Sequence, residues 1–190
     1  MSSHHIIREK QEPALLIADI NRFDPEYLGQ LLEWSPTVMV LQKEVEKVAS
    51  LGIKIDVIIT QNTFTEEIQE HTRLVFCERK IELEAALDFL QREQYHAVNI
   101  IINEFDFVLF SKYINAIDIV QLNEQERCFT AKPGFSKWKP AGEKVRIASL
   151  ASHLSVEGLS LISENLYQTT KDGLYKLYFD NDLIWIAENL

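Results

Sequence analysis

Four apolar runs constrain this chain more than any other feature: ALLIAD (14–19), TVMVL (37–41), IDVIIT (55–60) and AVNIIIN (97–103). A strand buried on both faces reads as a continuous apolar run, whereas a half-exposed strand alternates. Amphipathic segments separate the runs. DPEYLGQLLEW offers Asp24 as a helix cap and Pro25 at the first helical position. QKEVEKVASLG reads as a helix ended by Gly52. TEEIQEH is a weaker helix and RLVF (73–76) a short strand. KIELEAALDFLQRE (80–93) places Ile81, Leu83, Ala86, Leu87 and Leu90 on or near one face, and a further helix is expected from Phe107 to Ile117. The alternation predicts an α/β fold: an N-terminal, mostly parallel sheet with helices on both faces.

The pattern changes after KPGFSKWKPAGE (132–143). KVRIASL, HLSVEGLSL, NLYQTT, GLYKLYFD and LIWIAE are short, β-branched or aromatic, and separated by turns such as KDG and DND. They predict about five antiparallel strands from 144 to 190. The expected division is therefore an α/β domain over 1–132 and a small C-terminal antiparallel β domain over 133–190. Five short strands are hardly stable alone, so they should pack on the first domain or on a second copy of the chain. Trp138 and Trp185 read as core or interface anchors of the β part.

Charge narrows the partners. The chain carries a net −10, and residues 133–190 hold six Lys/Arg against seven Asp/Glu. The preceding residues therefore hold thirteen against twenty-two. Such a surface repels polyanions, which argues against nucleic acid. No run approaches the roughly 20 apolar residues of a membrane span. The polar start MSSHHIIREKQEP has no signal-peptide core, so a cytoplasmic protein is expected. Cys77 and Cys128 lack CxxC spacing and read as buried free thiols.

Common chemical signatures are missing. Neither GxGxxG nor GxxxxGK[ST] occurs, and the α/β part has only Gly29 and Gly52, both explained by helix structure. His4 and His5 are adjacent near the start, while His71, His96 and His153 stand apart without metal-ligand spacing. The serines lack a nucleophile-elbow context. Glu82 and Glu84 precede apolar helix positions and read as a solvated face.

The span LQKEVEKVASLGIKIDVIITQNTF (41–64) resembles ADGGANRLYDLGIKPDVIIGDFDS of the thiamine pyrophosphokinases, without gaps. IELEAAL (81–87) is similar to that family's TDLEKAL, and NEFDFVLFSKYINA (103–116) falls where it has GATGGRLDHTLANI. The order of elements, α/β first and small β domain last, is also similar. What the resemblance implies is the fold, a homodimer with the site shared between subunits, and chemistry that needs Mg²⁺, ATP and thiamine.

The chemical words of the family are changed. Gln42, Lys43 and Glu44 stand at the Asp-Gly-Gly loop. Thr60, Gln61, Asn62, Thr63 and Phe64 replace the acidic loop, its two Asp positions falling on Gln61 and Thr63. Ile81 and Glu82 replace Thr-Asp, leaving one carboxylate, and Ala85 replaces the helix lysine. Val108, Leu109, Phe110 and Ser111 stand at Arg-x-Asp-His, and Asn115 matches. Metal-bridged phosphates need anionic oxygens, and their loss removes transition-state stabilisation. The resulting expectation is a catalytically impaired or silent relative that keeps the fold and can bind a small molecule such as thiamine. Its remnant cleft would comprise Asp19, Gln42, Thr60, Gln61, Thr63, Glu82 and Asn115. The alternative is a divergent active pyrophosphokinase using Glu82, Asp56 and Asp19 as substitute carboxylates, of which Asp19 and Glu82 would face one cleft. Mg²⁺ and ATP are cofactors only in that alternative.

Overall fold

The computed structural model describes residues 12–61, 69–77 and 80–190, a mixed α/β fold in two compact units. The first unit takes the chain up to Glu104 and again Val108–Ile119; the second takes Phe105–Phe107 and Val120–Leu190.

In the first unit the apolar runs form β1 (Ala14–Ile17), β2 (Val38–Leu41), β3 (Val57–Thr60) and, after the edge strand β4 (Arg73–Phe76), β5 (Ala97–Ile101). Their order is β5-β1-β2-β3-β4, with every pair parallel. Each residue of β1, β2 and β3 is buried. Successive side chains point to opposite faces, so both faces of these strands are covered.

Helix α1 (Pro25–Glu33) starts as its sequence dictates: the Asp24 carboxylate accepts from the Tyr27 amide at 2.8 Å. After β2 a single 3₁₀ turn, Gln42–Glu44, leads into α2 (Val45–Ser50), and the chain leaves through Gly52 at φ 71°. Helix α3 (Glu82–Arg92) buries Ala85, Ala86, Leu87, Phe89 and Leu90. Ile81 caps it without a side-chain hydrogen bond and is exposed. Residues 65–68 of the expected helix TEEIQEH, with Asn62, Thr63, Phe64 and the first histidines, lie outside the described residues.

The helix expected from Phe107 to Ile117 is corrected to one turn, α4 (Phe107–Phe110). The amides of Tyr113 and Ala116 then bond to carbonyls three residues back, the tighter spacing of 3₁₀ turns. Tyr113 Oη donating to Asp88 at 2.8 Å, and Lys112 paired with Glu84 at 3.5 Å, hold these turns on α3. Glu82 and Glu84 are half-buried rather than a solvated face.

The second unit is antiparallel. It contains β6 (Asp118–Leu122, from Val120), β7 (Glu126–Ala131), β8 (Phe135–Lys139), β9 (Lys144–Ile147), β10 (Ser155–Glu157), β11 (Leu159–Ser163), β12 (Leu166–Thr169), β13 (Gly173–Tyr178) and β14 (Ile184–Asn189). One sheet runs β11-β12-β9-β14-β7-β6 and the other β10-β13-β8. Six strands, not five, follow residue 143, and β pairing begins before the Pro/Gly-rich stretch. That stretch supplies the turns around β8, with Gly134 and Gly142 at φ 79° and 87°. Val145, Ile147, Ile184 and Ile186 of one sheet pack against Tyr175 and Leu177 of the other. Trp185 is buried. Trp138 is not in the core: it is 60% exposed, opposite the equally exposed Leu174.

Candidate functional site

All five strands of the first unit run the same way, so their carboxyl ends share one edge, where open α/β sheets bind ligands. Two polar clusters lie along it. After β1, Asp19 Oδ1 accepts from the Asn21 amide at 3.0 Å and from Asn21 Nδ2 at 2.8 Å, a turn closed by its own side chain. Asn21 Oδ1 accepts from Lys47 Nζ at 2.8 Å, and Lys47 pairs with Glu44 at 3.6 Å. Glu44 is 2% exposed and accepts from the Ile20 amide at 3.3 Å.

The second cluster lies at the ends of β2 and β3. Thr60 is fully buried and its hydroxyl donates to Gln42 Oε1. The Thr60 carbonyl accepts from the Cys77 amide at 3.0 Å and from its thiol at 3.2 Å. Gln61 is exposed and donates to the Lys80 carbonyl at 3.2 Å. Glu82 opens α3. Burial pushes its carboxyl above the usual carboxylate range, against the pull of Lys43. Burial likewise raises the Cys77 thiol, and the charge of Glu82 adds to this. Gln42, Lys43, Thr60, Cys77 and Glu82 therefore share one neighbourhood.

The other expected residues fall elsewhere. Asn115 is exposed in the turns that Tyr113 and Lys112 fasten to α3. Asp56 belongs to the opposite edge: at the amino end of β3 it accepts from the Val38 amide at 2.9 Å and pairs with Lys54 at 2.7 Å. Thr63 lies outside the described residues. Glu44, Lys47 and Cys77 were not among the expected site residues. A carboxylate three residues before a lysine, directly after a buried strand, was the available signal for the first two.

Solved structures share this arrangement of elements. The thiamine pyrophosphokinase of Bacillus subtilis superposes with a TM-score of 0.67, at 14% identity over 94% of this chain and 99% of that one. That of Candida albicans gives 0.66 at 7% identity, over 94% and 89%. The yeast protein gives 0.62 at 8%, over 97% and 88%. The chain has the thiamine pyrophosphokinase fold. No family model matches its sequence, and no curated protein does either.

The fold family implies Mg²⁺, and the described residues do not fit it. A hard cation wants several anionic oxygens. Thr60 and Gln42 offer neutral oxygens already joined to each other, and Asp19 and Glu44 hold Asn21, Ile20 and Lys47. Among the described residues no three His, Cys, Asp or Glu side chains are grouped to hold a metal. Where the resemblance sets the family's charged residues, Ala85 and Phe110 are buried in apolar packing and Val108 is 82% exposed.

Proposed function

We propose that this thiamine pyrophosphokinase-like chain is catalytically silent or impaired and keeps its fold as a small-molecule-binding scaffold. The observation that carries this reading is the Thr60–Gln42 hydrogen bond at the ends of β2 and β3. Two neutral side chains there satisfy one another, so neither presents a charge to a metal-bridged phosphate. Phosphoryl-group transfer depends on positioning and on neutralising phosphate charge, and both are weakened by such replacements.

The finer parts of the proposal follow the resemblance. The region 1–132 would correspond to the catalytic domain, with helices on both faces of its sheet, and 133–190 to the thiamine-binding domain. Asp19, Gln42, Thr60, Gln61, Thr63, Glu82 and Asn115 would line the remnant cleft, with thiamine as the first ligand to try. The protein would be a cytoplasmic homodimer with no nucleic-acid partner, in keeping with its net charge of −10. A sedimentation run giving only a 22.0 kDa species would count against the dimer.

One observation favours the second reading, a divergent active enzyme. Glu82 is a half-buried carboxylate with a raised pKa beside Lys43, the kind of group that can serve as a base. Thermal unfolding with thiamine, with ATP plus Mg²⁺, and with both separates the two. A ligand at 100 times its Kd stabilises by about 2.7 kcal/mol, roughly 5–10 °C for a chain of this size. A silent scaffold with one retained pocket shifts with thiamine alone. A shift with ATP that requires Mg²⁺ supports the enzyme instead.

A further inference from the structure

Strand β8 presents its chemistry the wrong way round. Its alternation FSKWK would allow Trp138 to face the core with the lysines in water. Instead Trp138 is outside, and Lys137 and Lys139 share the inner side with Phe135. Their ammonium groups meet Glu188 of β14 at 2.6 and 3.6 Å. Arg127 of β7 reaches the same carboxylate oxygen through Nε at 3.2 Å and Nη2 at 2.9 Å. Tyr175 donates to the other oxygen at 2.8 Å, and Glu188 is 1% exposed.

Three cations thus surround one buried carboxylate. The second carboxylate within reach, Glu143, meets only Lys139, at 3.4 Å, and the adjacent Arg146 is balanced by Glu126. Lys137 also stands over the Phe129 ring, 5.0 Å from its centroid. A buried glutamate needs a partner, but a single well-placed cation with the tyrosine hydroxyl would serve. The surplus is positive charge, held partly out of water in a protein of net charge −10. The Arg127 and Lys137 side chains remain 36% and 29% exposed, so the cluster opens to solvent.

We propose that Arg127, Lys137 and Lys139 form a binding site for a small tetrahedral oxyanion, phosphate or a phosphate monoester, with Glu188 and Tyr175 holding the three cations in place. A guanidinium fork from one sheet and two ammonium groups from the other suit an acceptor whose oxygens point to different sides. Burial, together with the charges of Arg127 and Lys139, draws the Lys137 ammonium below its ordinary range against the pull of Glu188. A bound anion relieves that crowding. The site lies wholly in the second unit and is independent of the reading given to the strand edge of the first.

The test is calorimetric titration of the intact chain with inorganic phosphate, at ionic strength held constant with chloride. Saturable one-site binding with a Kd on the order of 1 mM or tighter is expected. Lys137→Met should weaken it at least tenfold, and Lys137→Arg should retain it. Glycerol phosphate binding more tightly than inorganic phosphate would support a monoester as the ligand, and the reverse would support free phosphate. No saturable heat with the wild-type chain overturns the proposal, whether or not Lys137→Met folds. So does acetate binding as tightly as phosphate, or undiminished phosphate binding by folded Lys137→Met.

Discussion

Replacing Glu188 by glutamine keeps the shape of the side chain and removes its charge. Arg127, Lys137 and Lys139 would then crowd one another around a neutral amide, with Glu143 reaching only the last of them. Removing one partner of a buried ion pair costs about 3–5 kcal/mol, because the opposite charge is left uncompensated. For a chain of this length that corresponds to a fall in Tm of about 6–20 °C. Differential scanning calorimetry at pH 7 reads it directly. The pH dependence supplies a second check. Burial works to raise the Glu188 pKa, but hydrogen bonds from Lys137 and Tyr175 and the charges of Lys137 and Lys139 outweigh it, so the folded value is depressed. A depressed carboxylate contributes its stability in full above the unfolded value of about 4.3 and loses it as pH falls through the folded value. The gap between wild type and Glu188→Gln should therefore stay open at neutral pH and close only in acid below about pH 4.3. A variant melting within about 2 °C of wild type at pH 7 would refute the reasoning, since that corresponds to no more than about 1 kcal/mol.

Gly158 sits at φ 74°, and a Cβ there would lie 2.9 Å from the Leu174 carbonyl oxygen. Gly158→Ala should cost more than about 1 kcal/mol, seen as a lower urea midpoint with unchanged slope. Ile58→Ala, in a fully buried stretch of β3, should cost about 2–5 kcal/mol by the same measurement. Burial pushes the Cys128 thiol up to about 12, so at pH 8 iodoacetamide should modify it only when the chain unfolds, as peptide mapping would show.

The parallel sheet was legible because burial on both faces leaves no choice of residue: β1, β2, β3 and β5 are the four apolar runs. The start of α1 was legible because Asp24 and Pro25 act on their own backbone, and the end of α2 because Gly52 takes a positive φ. Strands β6 and β7 were not. In DIVQLNEQERCFTA the inward positions include Gln121 and Arg127, whose burial depends on partners such as Asp106 and Glu188. The inverted β8 was hidden for the same reason: Lys137 and Lys139 face inward to meet Glu188, about fifty residues later in the chain. At the strand edge, the neutral character of Gln42 and Thr60 was readable, but their bond to each other was not. Glu44 reads in the sequence only as a replacement in the Asp-Gly-Gly loop, because its contact with the Ile20 amide lies across the turn after β1.

The silent-scaffold reading meets its most direct test in the reaction itself. The purified chain would be incubated with ATP, Mg²⁺ and thiamine, and AMP and thiamine diphosphate measured against a no-protein control. A strand edge in which Thr60 and Gln42 satisfy each other predicts no product above that control. Turnover that vanishes in Glu82→Gln while the fold persists would contradict it and establish the divergent enzyme instead.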